Sequence, residues 1–257
     1  MTAVLRGDEA AAQRRLAAPP ETPDAAWHLA ASYVRQQGGA LRAAQAEPER
    51  ALALSPGDRR VRARLAEILL LRGAPADALS VLEAGRACTG EAFTDAAAGL
   101  ARLSLHDAEA AARRFDCAIA ADPGEPLGWL GRGLVRIRRG RVAEGRADLE
   151  TAASLDPRRA SLRQWLGRAY QLEGRPAKAR AQFELARRED PDASGPWIFA
   201  ALDAYAANDP LEALRLLRAA QARRGANAPI RDRRGEREDA GTLAGALSQV
   251  HETLGLR

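Results

Sequence analysis

The sequence predicts an all-α chain folded as a solenoid of paired helices, and three columns of residues predict it. A small residue recurs as Ala44, Ala78, Ala111, Gly145, Ala179 and Ala213, at spacings of 34, 33, 34, 34 and 34. Twelve positions earlier stands a second small residue each time: Ser32, Ala66, Gly99, Gly133, Gly167 and Ala201. Four positions after the first column comes a bulky one in five copies, Leu82, Phe115, Leu149, Phe183 and Leu217. Paired helices approach closely only where no large side chain intervenes, so two small columns flanking a bulky one mark a tight hairpin. Helices this short do not bury their apolar faces alone and need neighbours of the same kind.

The unit is clearest in Ala160–Ala193. Leu162, Leu166 and Ala169/Tyr170 lie on one face of a first helix. Gly174 supplies a left-handed stop, and Pro176 sits where a new helix begins without losing a bonded N–H. Ala179, Phe183 and Ala186 line the second helix, which Asp190-Pro191 ends. Taken in order, residues 1–23 read as a partial repeat followed by the connector Pro19–Pro23. Six units follow over 24–227, beginning with one that holds Trp27 and Tyr33. Its second helix carries Pro48 in the bulky column, where an interior proline predicts a kink or break. The one-residue slip falls near Thr89-Gly90. A charged linker is expected over 228–240, and 241–257 reads as the first helix of a further, truncated repeat. Half units at both ends lead us to expect a segment of a longer protein.

The run Leu166-Gly167, Tyr170, Ala179, Phe183 and Pro191 resembles the tetratricopeptide repeat in length and order. Trp129 and Trp197 fill that family's leading tryptophan place; Arg163 departs from it, and Arg136 stands where a tyrosine is usual. The resemblance implies a right-handed α-solenoid of about six units with a half unit at each end, acting in protein interaction. More narrowly, Gly128–Pro157, Ser161–Pro191 and Gly195–Leu217 are similar to the repeats of large bacterial envelope proteins that carry a C-terminal outer-membrane barrel. That likeness implies a periplasmic setting; a complete chain without leader would instead be cytoplasmic, and the compartment stays open.

Composition agrees with close-packed helices: aromatics are 4% of 257 residues, and only Lys178 among 39 basic residues is lysine. No apolar run approaches bilayer length, so membrane insertion by this segment is not expected. Cys88 and Cys117 are too few for a disulfide scaffold and are expected as buried small residues. His28, His106 and His251 fall in different units without metal-ligand spacing and read as surface or packing residues. There is no phosphate-binding GxxxxGK[ST] and no complete dinucleotide loop. No enzyme activity, cofactor or metal is expected.

Nucleic acid is the rival partner. Arg132, Arg136, Arg138, Arg139, Arg141 and Arg146 face only Glu144 in sequence, a local excess equal to the net +5 of the chain. The plainer reading pairs these arginines with acids on adjacent helices, and no base-reading side chain recurs beside them. End-to-end self-association through the solenoid's open ends is a third possibility.

The family's concave wall is formed by the first helix of each unit. Its places run Leu29, Ala63, Ala96, Leu130, Gln164 and Ile198; then Tyr33, Glu67, Leu100, Leu134, Arg168 and Leu202; then Gln36, Leu70, Leu103, Ile137, Gln171 and Tyr205. The central units thus present Leu100, Leu103, Leu130, Leu134 and Ile137, bordered by Arg138, Gln164, Arg168, Gln171 and Tyr205. If exposed, this strip fits an extended or helical partner segment with apolar anchors and an acid near Arg168. The alternative is that the aliphatic side chains pack against neighbouring layers.

Overall fold

A computed structural model describes Arg14, Leu16 and residues 18–222, apart from 38–39 and 83–87. The expected linker at 228–240 and helix at 241–257 lie outside the described residues, as does most of the expected partial repeat before residue 18. Residues 18–24 are non-helical, as a connector there requires. Twelve helices follow, and no strand is found among the described residues. In chain order they are α1 (Ala25–Gln37), α2 (Leu41–Leu54), α3 (Arg59–Leu71), α4 (Pro75–Leu82), α5 (Ala92–Ser104) and α6 (Ala108–Ala121). Then come α7 (Pro126–Arg138), α8 (Val142–Leu155), α9 (Ala160–Leu172), α10 (Pro176–Glu189), α11 (Gly195–Ala206) and α12 (Pro210–Gln221). Each odd helix packs against the even helix after it, and each hairpin packs against the next.

Local chemistry sets the boundaries. Pro126, Pro176, Pro196 and Pro210 open four helices. Asp58, Glu125, Asp107 and Asp209 accept backbone N–H groups at other starts or the same ones. Between the two helices of a unit, Gly73, Gly140 and Gly174 adopt φ near +70° to +80°, and His106 and Asn208 take the same left-handed place at 66° and 61°. His106 is therefore an exposed turn residue.

The small columns are where the two helices of a unit touch. Ala44, Ala78, Ala111, Ala179 and Ala213 are fully buried, as are Ser32 and Ala66. At the fourth unit the backbones themselves meet: a Cβ on Gly133 would lie 2.8 Å from the Gly145 carbonyl, and one on Gly145 would lie 2.7 Å from the Gly133 carbonyl. Elsewhere the bulky column dictates the small one. The Phe115 ring covers Gly99, and the Phe183 ring covers Gly167, each within 3 Å of where a Cβ would stand. Where the bulky residue is Leu82 or Leu217, the place across from it holds Ala66 or Ala201. Phenylalanine requires glycine; leucine leaves room for alanine.

Of the kink or break expected at Pro48, the break is not found: α2 runs unbroken from Leu41 to Leu54 with Pro48 buried inside. The proline removes the N–H that would bond the Ala44 carbonyl. Ser32, on the facing helix, donates its hydroxyl to that carbonyl at 2.9 Å and accepts from Arg64 Nε at 3.0 Å. The serine in the small column thus replaces the bond the proline takes away.

A second correction concerns the cysteines. Cys88 and Cys117 form a disulfide, with Cα atoms 5.7 Å apart, tying the segment before α5 to α6.

Two stability predictions follow from this packing. Gly167→Ala is expected to destabilise by about 1–3 kcal/mol through overpacking against Phe183, and Phe183→Leu in the same chain to recover part of the loss in urea melts. Ser32→Ala is expected to cost about 1–3 kcal/mol by orphaning two buried groups. Adding Pro48→Ala should restore the helical bond to Ala44 and return part of that loss; additivity of the two changes would refute the replacement.

Candidate functional site

The odd helices carry the wall on which a partner segment was expected. Among the central candidates, Leu103 and Leu130 are buried, at 3% and 6% exposure, and so serve the core rather than an open surface. Leu100, Leu134 and Ile137 are half-buried; Leu100 packs against the cluster holding Leu103, Ile137 against the one holding Leu130, and Leu134 against both. Arg138 is exposed and donates to the Leu103 carbonyl at 3.1 Å. Gln164 lies over Gly195, where a Cβ would have to displace its side-chain amide. Arg168 donates to the Gln171 side chain at 3.3 Å, and Gln171 donates to the Phe199 carbonyl at 3.2 Å and to Asp203 at 3.3 Å. Tyr205 is half-buried against this cluster. Gln164 and Gln171 are thus struts between α9 and α11. Trp165 and Phe199, with ring centroids 5.7 Å apart, fill the space between these layers.

Open space lies instead toward the N-terminal end of the same wall. A cavity of about 650 Å³ runs between α1, α3 and the start of α5, within the usual range of ligand pockets. Leu29, Tyr33 and Ala63 line it, from the columns read off the sequence, together with Ala25, Ala26, Ala30 and Phe93. The floor stays open because α1 puts Ala30, and α3 the tied-down Arg64, where α9 and α11 put Trp165 and Phe199. At its rim Arg59 pairs with Glu91 at 3.0 Å and Arg60 with Asp58 at 3.4 Å.

Arg64 forms part of the cavity wall and is itself buried, with a side-chain exposure of 1%. Its Nη1 bonds Glu67 at 2.7 Å, its Nε bonds Ser32, and its guanidinium carbon lies 3.7 Å from the centre of the Tyr33 ring. Burial pushes the Tyr33 phenol up, while the Arg64 charge pulls the other way. Arg64 Nη2 is buried with no hydrogen-bond partner among the described residues.

Sequence reasoning missed a set of polar pairs that join the two helices of a unit. Residues 19 apart face each other across a hairpin: His28 and Glu47 at 2.7 Å, Asp95 and Arg114 at 2.7 Å, Arg163 and Gln182 at 3.2 Å. Glu47 also meets Arg35 and Arg50. Asp95 receives the Thr89 backbone N–H on both oxygens, at 3.1 and 3.0 Å. The signal was available: His28, Asp95 and Arg163 hold the leading-tryptophan place in their units, each with a polar partner 19 residues on.

The basic stretch is engaged within the protein. Arg132 and Arg136 converge on buried Asp148 at 2.9 and 2.6 Å, and hydrogen bonding to that carboxylate holds the Arg132 guanidinium above its usual range. Arg139 pairs with Glu109, Arg141 with Glu144, and Arg146 with Glu150 and Glu173. This is the plainer of the two readings of the arginines. Arg136 stands in a tyrosine place because it closes the Asp148 pair. Among the described residues no group of three or more His, Cys, Asp and Glu is placed to hold a metal ion. No described helix is long and apolar enough to cross a membrane.

Fold and wall together define an architecture: an α-solenoid of helix–turn–helix units with a recessed face. Residues 96–157 and 136–197 each match a sequence description of the tetratricopeptide repeat. Over these residues the chain carries tetratricopeptide-repeat sequence, and the described residues fold as an all-α repeat solenoid. No curated protein matches it in sequence. Among solved structures it is similar to a thermophilic TPR protein of Thermus thermophilus, at 23% identity and TM-score 0.63, covering 70% of this chain and 99% of that one. It is similar also to a tetratricopeptide repeat protein from Parabacteroides merdae, at 17% identity and TM-score 0.63, covering 97% and 94%. A third is PilW, a type IV pilus biogenesis factor, at 19% identity and TM-score 0.58, covering 77% and 92%. At these identities the likeness is one of fold.

The disulfide and the Asp95 cluster share one segment, which borders the cavity through Glu91, Phe93 and Thr94. Replacing both Cys88 and Cys117 by serine is expected to lower stability by about 2–4 kcal/mol. Hydrogen exchange at the Thr89 amide should accelerate more than exchange within α9; equal acceleration at both would mean the bond acts only on global stability.

Proposed function

We propose that the chain is a non-catalytic scaffold that receives a segment of a partner protein on the wall formed by its odd helices. The observation that carries this reading is the apolar cavity between α1, α3 and α5, on the face where the resemblance expects a ligand. Leu100, Leu134 and Ile137 extend the apolar surface toward the centre, with Arg168 beyond them. Pairing of the Arg132–Arg146 stretch with internal acids disfavours a nucleic-acid role, since those charges are already compensated.

A second reading places this scaffold in the periplasm, as part of an export or assembly protein of the outer membrane. The Cys88–Cys117 disulfide supports it, because such bonds persist in oxidising compartments and are rare in the cytosol. Free-thiol titration of protein taken directly from cytoplasmic and periplasmic expression addresses this reading.

The wall itself is tested by selecting binders from a random-peptide display library on the immobilised chain. Binding of the selected peptides is then measured for Leu29→Asp and for Leu134→Asp combined with Arg168→Glu. Loss of binding in either variant, with the wild-type melting temperature retained, is the expected result. Unchanged binding in both would place the interaction off this wall.

A further inference from the structure

We propose that the cavity between α1 and α3 reads an uncharged, apolar stretch of polypeptide, one of whose main-chain carbonyl oxygens accepts a hydrogen bond from Arg64 Nη2. This rests on the wall being the partner-binding face and adds the chemistry of what binds there.

The argument starts from an unmet donor. A buried arginine ordinarily spends its donors on acceptors, because a buried donor left unpaired costs about 1–3 kcal/mol. Arg64 spends Nε on Ser32 and Nη1 on Glu67, while Nη2 has no acceptor among the described residues. The residue is held in place from three sides: by those two bonds and by the Tyr33 ring stacked on the guanidinium. The guanidinium is thus fixed beneath the cavity wall, and an acceptor that reaches Nη2 completes its set of bonds.

Charge decides which acceptor. Glu67 already balances Arg64, Glu91 balances Arg59, and Asp58 balances Arg60. A carboxylate entering here gains no net positive partner and meets three acids nearby, whereas a neutral amide carbonyl needs only the buried, unpaired N–H. Shape decides the rest. Ala25, Ala26, Ala30 and Ala63 let a peptide backbone come close, and Leu29 and Phe93 offer surface to its apolar side chains. Tyr33, 41% exposed, presents its outer face to the peptide plane.

The test uses the full chain and three probes: acetyl-Leu-Ala-Leu-Ala-amide, the same peptide with a free C-terminal carboxylate, and laurate. Binding is followed by NMR titration, including the Arg64 Nε–H signal, identified by its absence in Arg64→Lys. The capped peptide is expected to bind, to shift that signal, and to weaken about tenfold or more in Arg64→Lys, which keeps the charge opposite Glu67 but not the Nη2 donor. Ala26→Trp, at the exposed edge of the cavity and away from Arg64, should block the same probe and guards against a folding defect in the first variant. Stronger binding of laurate would make this an acyl-chain pocket, and stronger binding of the free carboxylate would make it an anion site; either overturns the proposal. So does full affinity in Arg64→Lys, or no binding of any probe. If the probes fail while display-selected peptides still depend on Leu134 and Arg168, the wall stands as the binding face and only the carbonyl-reading pocket falls.

Discussion

Everything in this chain depends on how closely the two helices of a unit approach at their small columns. At Gly133 and Gly145 the approach is backbone to backbone, and neither position has space for a methyl group. That contact fixes how far apart the helices sit, and the interhelical distance fixes what the bulky column can be. A phenyl ring fits only over glycine, so Phe115 goes with Gly99 and Phe183 with Gly167. Leucine fits over alanine, as at Leu82 and Ala66. Each unit is a separate solution of one volume equation, and dense interiors tolerate little error in either direction.

Steric constraints of this kind repeat, and repetition made the fold legible. The columns are visible in the sequence because every unit must satisfy the same approach, whatever its surface does. The polar interior is illegible for the opposite reason: each unit satisfies it once and differently. Ser32 looked like another small residue, and Pro48 like a helix breaker; only their juxtaposition shows that the hydroxyl stands in for the missing N–H. Cys88 and Cys117 belong to no column, so periodicity carried no information about their pairing. The polar pairs 19 apart were half visible, as departures from the tryptophan place, but reading them required pairing each departure with a position on the other helix.

The candidate site was legible as columns and not as a location. The places occupied by Leu29, Tyr33 and Ala63 are those occupied by Gln164, Arg168 and Ile198 further along, and all lie on odd helices. Whether a groove opens there depends on the bulk of the next layer. Around α9 and α11, Trp165, Phe199 and the glutamine struts close it. Around α1 and α3, Ala30 stands in the place of Trp165 and the tied-down Arg64 in that of Phe199, and the space stays open. Choosing the central units for their aliphatic character favoured the residues with most to gain from burial, and two of them, Leu103 and Leu130, are buried.

The buried charges answer a problem that the repetition creates. Six hairpins with nearly the same shape can pair a first helix with the wrong second helix at little steric cost. Buried ion pairs contribute little net stability, since desolvation offsets much of their attraction, but a mismatched one is expensive. Here the polarity changes from unit to unit. The acid lies on the second helix in the first and fourth units, as Glu47 and Asp148, and on the first helix in the third, as Asp95. Docking α5 against α2 or α8 would bury Asp95 beside Glu47 or Asp148 and leave Arg114 without its acid. Docking α7 against α6 as a hairpin would likewise bury Arg132 beside Arg114. The apolar columns permit these exchanges and the charges forbid them, so the steric repeat makes the solenoid while its departures from repetition keep the units in order.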